Sequence, residues 1–403
     1  MVKDVPADLH VSAAESYRSS QAIHERPPMN FDFSDDQKLL RDQARRFLAE
    51  NCTARAVRAV LESDAGYDRA LWQSIAEMGW LGTAIPEAYG GLGLGALELC
   101  VIAEELGRVL APVPFSSTVC LFAEALMLAG SEEQKRRYLP KLARGELIGT
   151  FARAEGAGAV TPKSIRASFR GGKLSGTKTA VADAMEADAA IVLARTSEEP
   201  GERGLSLVLV DLSAGSVARK PQDSIDASRK RAMLAFESAP AELLGPAGEG
   251  WELQRRVLDR AAVLMAFEQV GGADACLAMA KDYALTRHAF GRPIGSFQAI
   301  KHRLADMYIA SELARSNAWY GAWALATNAR ELPLAAAAAR VSATQAFDFA
   351  ANENVHVHGG IGFTWEADCH LFQKRARDLA LSLGPQRVWK DRLVTELELS
   401  NVA

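Results

Sequence analysis

One stretch of this chain concentrates groups able to hold a phosphate. Arg287 closes a long apolar-periodic run and is followed by Phe290-Gly291-Arg292-Pro293, so a guanidinium stands beside a sharp loop, an arrangement suited to a bidentate grip on phosphate oxygens. Further on, Gly359-Gly360 follows a second helical run, and without Cβ atoms its backbone can approach a ligand closely. A plainer account is open for both: Arg287 as a solvated helix end, and the glycines as a C-cap with its turn. The seven histidines contain no HExxH pair, and His356 and His358 fall on different helix faces, which argues against a metal site. Neither a Gly-x-Ser-x-Gly elbow nor a P-loop occurs. Gly90-Gly91-Leu92-Gly93-Leu94-Gly95 is glycine-rich, but no strand precedes it.

The carboxylate that draws attention is Asp259, next to Arg260, inside the run that ends at Arg287. Arg255 with Asp259, and Arg256 with Arg260, stand four residues apart, which is also the spacing of a solvated charge ladder on a helix.

The elements that must position these groups follow from periodicity. Residues 1–28 are polar, aperiodic and end in Arg26-Pro27-Pro28; they are expected to be a flexible tail, with folding starting near Phe31. Ser34 and Gln37 fit a capping box. Apolar stripes at three- and four-residue spacing predict helices near 35–48, 69–79, 96–109, 118–128 and 132–143. Between about 150 and 243 the texture changes to short strand-like runs, Ile191 to Ala194 and Leu205 to Val210 among them. Long helices return at 251–287, 297–328 and 333–358, the last holding the alanine run Ala335 to Ala339. The expected divisions are a tail 1–28, a helical domain 29–149, a β domain 150–245 and a helical bundle 246–403, an α+β chain without Rossmann alternation.

Composition bounds the class. At roughly 150 residues per domain, the 403 residues suggest two to three domains. Hydrophobic residues at 49% and charged residues at 24% exclude disorder, collagen and a membrane-embedded bundle. A net charge of -4 supplies no field to gather nucleic acid or anionic lipid, so neither is an expected partner. No uninterrupted apolar stretch approaches the roughly 20 residues of a membrane span, and the N-terminal segment lacks the apolar centre of an export signal. Five scattered cysteines fit free thiols in a reducing cytoplasm.

Two segments carry a family resemblance. The first runs from Tyr283 through Arg287, Phe290-Gly291-Arg292-Pro293 and Phe297-Gln298 to Met307; the second is His356-Val357-His358-Gly359-Gly360-Ile361-Gly362-Phe363-Thr364-Trp365-Glu366. With the helix, β, helix order over about residues 30 to 400, the chain resembles the acyl-CoA dehydrogenase family of FAD enzymes, and within it divergent bacterial members of sterol, terpenoid or aromatic acyl-CoA catabolism. The resemblance implies an N-terminal helical domain, a small β-barrel-like domain and a C-terminal four-helix bundle. It also implies FAD as cofactor, with Arg287, Phe290, Phe297 and Gln298 on the adenosine diphosphate part of a FAD bound mainly to a neighbouring subunit. His356, Gly359 and Gly360 would approach the same cofactor. A homodimer, homotetramer or heterotetramer is therefore expected, as is an electron-transfer flavoprotein or similar acceptor.

The implied reaction is α,β-dehydrogenation of an acyl-CoA: a carboxylate takes the α-proton while the β-hydride goes to the flavin. Hydrogen bonds to the thioester carbonyl must stabilise the enolate, at about 2.7 to 4 kcal/mol for a well-aimed donor. The family's usual base position falls on about Leu383, which carries no carboxylate. Some members place the base on the long helix just before an arginine, which makes Asp259 the candidate base and Arg260 a candidate substrate contact. Pro86-Glu87-Ala88-Tyr89-Gly90-Gly91 matches a loop beside the substrate cavity, which puts Tyr89 among the substrate contacts. The chain departs from the family at Ala154-Glu155-Gly156-Ala157-Gly158-Ala159 and Ala180-Val181-Ala182, where hydroxyls and a ring-covering tryptophan are missing. Two other readings stay open: a half-site subunit of a heteromeric dehydrogenase, and a flavin-dependent oxidase or monooxygenase on the same fold.

Overall fold

The computed structural model describes residues 34–402, so the expected tail 1–28 and the expected start near Phe31 lie outside the described residues. The first helix, α1 (Asp35–Asn51), begins with the capping box read from the sequence: the Gln37 amide donates to Ser34 Oγ at 3.2 Å, and the Ser34 amide to Gln37 Oε1 at 3.0 Å. Each contact satisfies a donor that a helix start leaves without a partner. Then follow α2 (Ala54–Leu61), α3 (Arg69–Glu77) and α4 (Ala96–Arg108). Ser116–Ala123 winds as a π-helix and continues into α5 (Glu124–Ala129), a winding that no feature of its helix-like composition announces. Helix α6 (Glu132–Ala143) starts with a second capping box, Ser131 with Gln134.

The chain then forms seven strands: β1 (Gly149–Ala152), β2 (Ser168–Arg170), β3 (Lys173–Ala182), β4 (Ala189–Arg195), β5 (Leu205–Asp211), β6 (Val217–Gln222) and β7 (Arg231–Leu244). The order β4-β2-β3-β7-β5 is closed by pairing of β5 back onto β4, from Ala189 with Asp211 to Arg195 with Leu205. The closed sheet leaves β4 and β5 buried on both faces, which is why they read as unbroken apolar runs. Strand β1 adds in parallel beside β4.

The bundle comprises α7 (Gly250–Thr286), α8 (Gln298–Ala326), α9 (Leu332–His358), α10 (Cys369–Ser382) and α11 (Gln386–Val402). By length and composition α7 is apolar enough to cross a membrane, yet most of that apolar stretch is buried within the protein, against α4, α8 and α9. Its crossing with α4 is backbone to backbone. A Cβ on Gly107 would lie 2.0 Å from the Glu268 carbonyl oxygen, and one on Gly271 would lie 1.9 Å from that of Glu104. Around this crossing Arg108 and Arg315 share Glu104 and Asp274, tying α4, α7 and α8 together.

Candidate active site

A cavity of about 420 Å3 opens where the closed sheet meets the π-helical turn and the bundle. Ser116, Ser117 and Leu121 face it from the π-helical turn, Arg153 from the end of β1, Ala180 to Ala182 from β3, Met265 from α7, and Leu381, Ser382, Gly384 and Pro385 from the end of α10 and the turn after it. The wall hydroxyls are engaged within the protein. Ser117 donates to Asp183 at 2.6 Å, Thr150 to the Ala182 carbonyl at 2.7 Å, and Ser382 to the Asp378 carbonyl at 2.9 Å. Thr179 exchanges hydrogen bonds with Gln222, and Ser116 accepts from Arg229 at 3.1 Å.

Behind the wall lies a network of buried charges. Arg229 pairs with Asp183 at 3.2 Å and stands 3.8 Å from Glu268; Arg375 pairs with Asp226 at 2.5 Å and stands 3.6 Å from Glu268. Burial opposes the charge on Arg229, but Asp183 and Glu268 outweigh it and hold the guanidinium above its ordinary pKa. Lys178, fully buried, donates to Glu155 at 2.6 Å, and burial still pushes its ammonium down to about 8. Glu155 also accepts from the amides of Arg166 and Ala167, which fixes the loop carrying Gly156 and Gly158 at the cavity rim. Arg153 is the exception: burial pushes its pKa down to about 10, and no charged neighbour offsets it. Of the two wall carboxylates, Asp378 is gripped by Arg231 at 2.8 and 3.0 Å, and Asp223 is solvent-exposed.

The residues expected at the site divide into four places. Asp259 is 3% exposed, and its Oδ2 accepts from Arg392 of α11 at 2.5 Å. Burial pushes this carboxyl up to about 7 in spite of that guanidinium. It is six residues from Met265, the α7 residue that lines the cavity, so about 600° of helix rotation puts it on a different face. Arg260 pairs with Glu124 at 2.5 Å and lines a second pocket with Asn328. Tyr89 donates to Glu132 at 2.8 Å. Arg287, Gly359 and Gly360 do come together, in a shallow pocket with Tyr283 and His358, whose rings stack at 4.2 Å. Phe290 is 95% exposed on the adjoining loop, edge-on to Phe297, over which Arg292 lies at 4.2 Å; Gln298 opens α8. His356 is turned outward beside Glu353, so His358 is the histidine of this pocket.

Sequence reasoning missed Arg153, Arg229 and Arg375. A usable signal existed for the first, since a lone cation directly follows the apolar strand Gly149–Ala152. The others meet only through tertiary packing.

The fit to a flavin nucleotide is divided. At the Arg287 surface it is good: the guanidinium is exposed, Gly359 adopts φ 63, and a Cβ on Gly359 or Gly360 would meet nothing within 4 Å. In the cavity it is poor. The wall hydroxyls are already bonded, and the Arg153 guanidinium reaches across to Gly384, where a Cβ would lie 3.3 Å from Nη2.

Comparison with known proteins places these features in context. Residues 34–146 match the family model for the acyl-CoA dehydrogenase N-terminal domain and residues 248–396 that for the C-terminal domain. Acyl-CoA dehydrogenase IpdE2 of Mycobacterium tuberculosis is 34% identical over 366 residues, covering 90% of this chain and 98% of the relative. A solved variant of the Tcur3481-Tcur3483 steroid ACAD superposes with TM-score 0.82 at 32% identity, covering 92% of this chain and 99% of its own. The ChsE4-ChsE5 complex of Mycobacterium tuberculosis gives TM-score 0.83 at 28% identity with the same coverage.

Proposed function

Since this chain belongs to the acyl-CoA dehydrogenase family of oxidoreductases, we propose that it works in the FAD-dependent α,β-dehydrogenation of an acyl-CoA thioester. FAD supplies the hydride acceptor of that chemistry. The observation that carries the reading is the surface of Arg287, Gly359 and Gly360: an exposed guanidinium beside open glycine backbone, able to grip a diphosphate that another subunit holds from its far side. Phe290 and Phe297 offer apolar faces beside it for an adenine ring.

The α-proton needs a free carboxylate, and the walls of this chain's cavity hold none that is both buried and unpaired among the described residues. Asp259 reads better as the anchor of α11, given its ionic contact with Arg392 and its azimuth on α7. Met265 occupies the cavity-facing stripe of α7, and Ala261, one turn before it, carries no acid. These observations favour a division of labour: this chain presents the nucleotide-gripping surface, and a second, base-carrying chain completes the site. The Tcur3481-Tcur3483 and ChsE4-ChsE5 structures, each named for two chains, are consistent with such an assembly. A ring-bearing acyl group, a flavoprotein electron acceptor and a cytoplasmic setting belong to the same proposal.

The test is to produce the chain alone and together with a base-carrying family member from the same source, and to record visible spectra, solution mass and anaerobic flavin bleaching with CoA thioesters. The expected result is a flavin-free, inactive chain alone and a flavin-bearing complex that a thioester bleaches. Bleaching by the chain alone overturns the division of labour. No bleaching by any thioester in a flavin-bearing complex overturns the dehydrogenation itself.

A further inference from the structure

Arg153 is a charge without a counter-charge. Strand β1, buried at all four residues, delivers it to the cavity, and its guanidinium lies against the backbone of Gly384 on the opposite wall. Among the described residues no acceptor bonds that guanidinium, and burial alone shifts its pKa, to about 10, so it remains protonated at neutral pH. A second cation sits near enough to repel it. Arg340 is 1% exposed, donates to Gln269 Oε1 at 2.9 Å and to the Leu379 carbonyl, and is likewise pushed down to about 10 by burial, with Glu268 opposing the shift and Arg153 adding to it. Arg229 faces the same cavity too, but Asp183 at 3.2 Å balances it, so Arg153 is the wall guanidinium left without an acid.

A half-buried guanidinium with no anion, beside a second buried cation, is costly to maintain. An anion entering the cavity would remove that cost. The fork of a guanidinium matches a carboxylate in two parallel hydrogen bonds. Apolar side chains of Leu121, Phe151, Val160, Met265 and Leu379 form part of the remaining wall, beside the internally bonded hydroxyls and the Arg231–Asp378 pair. A strongly hydrated anion such as phosphate would lose water against those apolar side chains, and a neutral carbonyl would leave the charge unbalanced. The volume of about 420 Å3 lies within the usual span for a small organic ligand.

We propose that the cavity of this chain is a binding site for an apolar carboxylic acid, its carboxylate held by Arg153 and its hydrocarbon body against Leu121, Phe151 and Met265. The site rests on the reading given above, in which the flavin is seated elsewhere in the assembly. It gives this chain a ligand of its own, separate from the acyl-CoA that the assembly oxidises.

The experiment is calorimetric titration of the full chain with cyclohexanecarboxylate, cyclohexanecarboxamide and inorganic phosphate, repeated on Arg153→Met and Arg153→Lys. The acid is expected to bind, with the amide and phosphate each at least about tenfold weaker, as loss of a charged hydrogen-bond partner implies. Arg153→Met is expected to weaken the acid roughly ten- to hundredfold, and Arg153→Lys less. Equal binding of acid and amide, a measurement on unaltered protein, overturns the proposal. So do phosphate binding as tight as the acid and acid binding indifferent to Arg153→Met. The visible spectrum of the same sample separates the two ideas: flavin on the isolated chain defeats the division of labour, whereas a flavin-free chain that ignores the acid defeats the carboxylate site alone.

Discussion

Asp259 shows what residue type and spacing convey and what they omit. Its neighbour Arg260 made the pair look like a base beside a substrate contact, and the sequence contains both at the stated distance along the helix. The azimuth toward α11 instead of Met265 depends on which neighbour α7 meets at each face, and that is set by residues far along the chain, Arg392 above all. The same geometry makes a pH prediction. The carboxyl titrates near 7 in the folded protein against an ordinary value of 3.8, so between these limits the native state holds a proton that the unfolded chain has released. Stability should therefore fall as pH rises across that window, by at most about 1.4 kcal/mol per pH unit from this group, and level off above it. Chemical denaturation of wild type and Asp259→Asn from pH 5 to 8 should show the variant losing less stability over the range. On the proposed reading, in which Asp259 anchors α11, the same variant should keep kcat of the assembled enzyme within about twofold, whereas loss of a positioned base costs about 10²- to 10⁴-fold. A collapse of kcat with stability intact would restore Asp259 as the base.

At the scale of elements, helices announced themselves because their signals are local. The capping boxes at Ser34 and Ser131 and the long apolar stripes all lie within a few residues of what they control. Strand β7 was less legible: its fourteen residues bend through successive pairings with β3, β6 and β5, and no simple alternation survives that change of partners. The α4–α7 crossing was invisible for a different reason, since a glycine in a helix reads as a weakness until the opposing backbone is known. Gly271→Ala would gain about 1 kcal/mol of helix propensity in isolation. Here its methyl would fall 1.9 Å from a carbonyl oxygen, so overpacking decides the sign. The expected outcome is a net loss of about 1 to 3 kcal/mol by denaturant titration. Displacement of α7 should also disturb Glu268, one turn away, and with it the Arg229 and Arg375 contacts behind the cavity. A stabilised Gly271→Ala protein would show that the helices can separate freely.

For the whole molecule, the near-neutral formal charge of -4 hid an uneven interior. Opposite charges are matched through most of the buried network, and the exception on the cavity wall, Arg153, is something only the three-dimensional arrangement reveals. The fold class was legible because helix, strand and helix follow one another in sequence order. The sharing of α7 among α4, α8, α9 and strand β5 was not, and it has a measurable result. Domains that share a central helix should lose structure together, although chains of this size often unfold in steps. Tryptophan fluorescence, with Trp72 and Trp80 among the first helices and Trp319 and Trp323 in the bundle, should change in parallel with far-ultraviolet circular dichroism along one denaturant curve. Two separated transitions would show that the helical domain and the bundle fold independently.

The π-helical winding of Ser116–Ala123 bears on the chemical durability of the site. In an α-helix the residue facing the same way as Ser116 would be Cys120, four positions on; with the wider turn it is Leu121, and both Ser116 and Leu121 line the cavity while Cys120 does not. Cys120 is thereby rotated into the core, where burial holds its thiol well above the ordinary range and so in its unreactive form. One extra residue in a helical turn thus keeps a thiol off the cavity wall, exchanging a nucleophile for a leucine that no electrophilic ligand can modify.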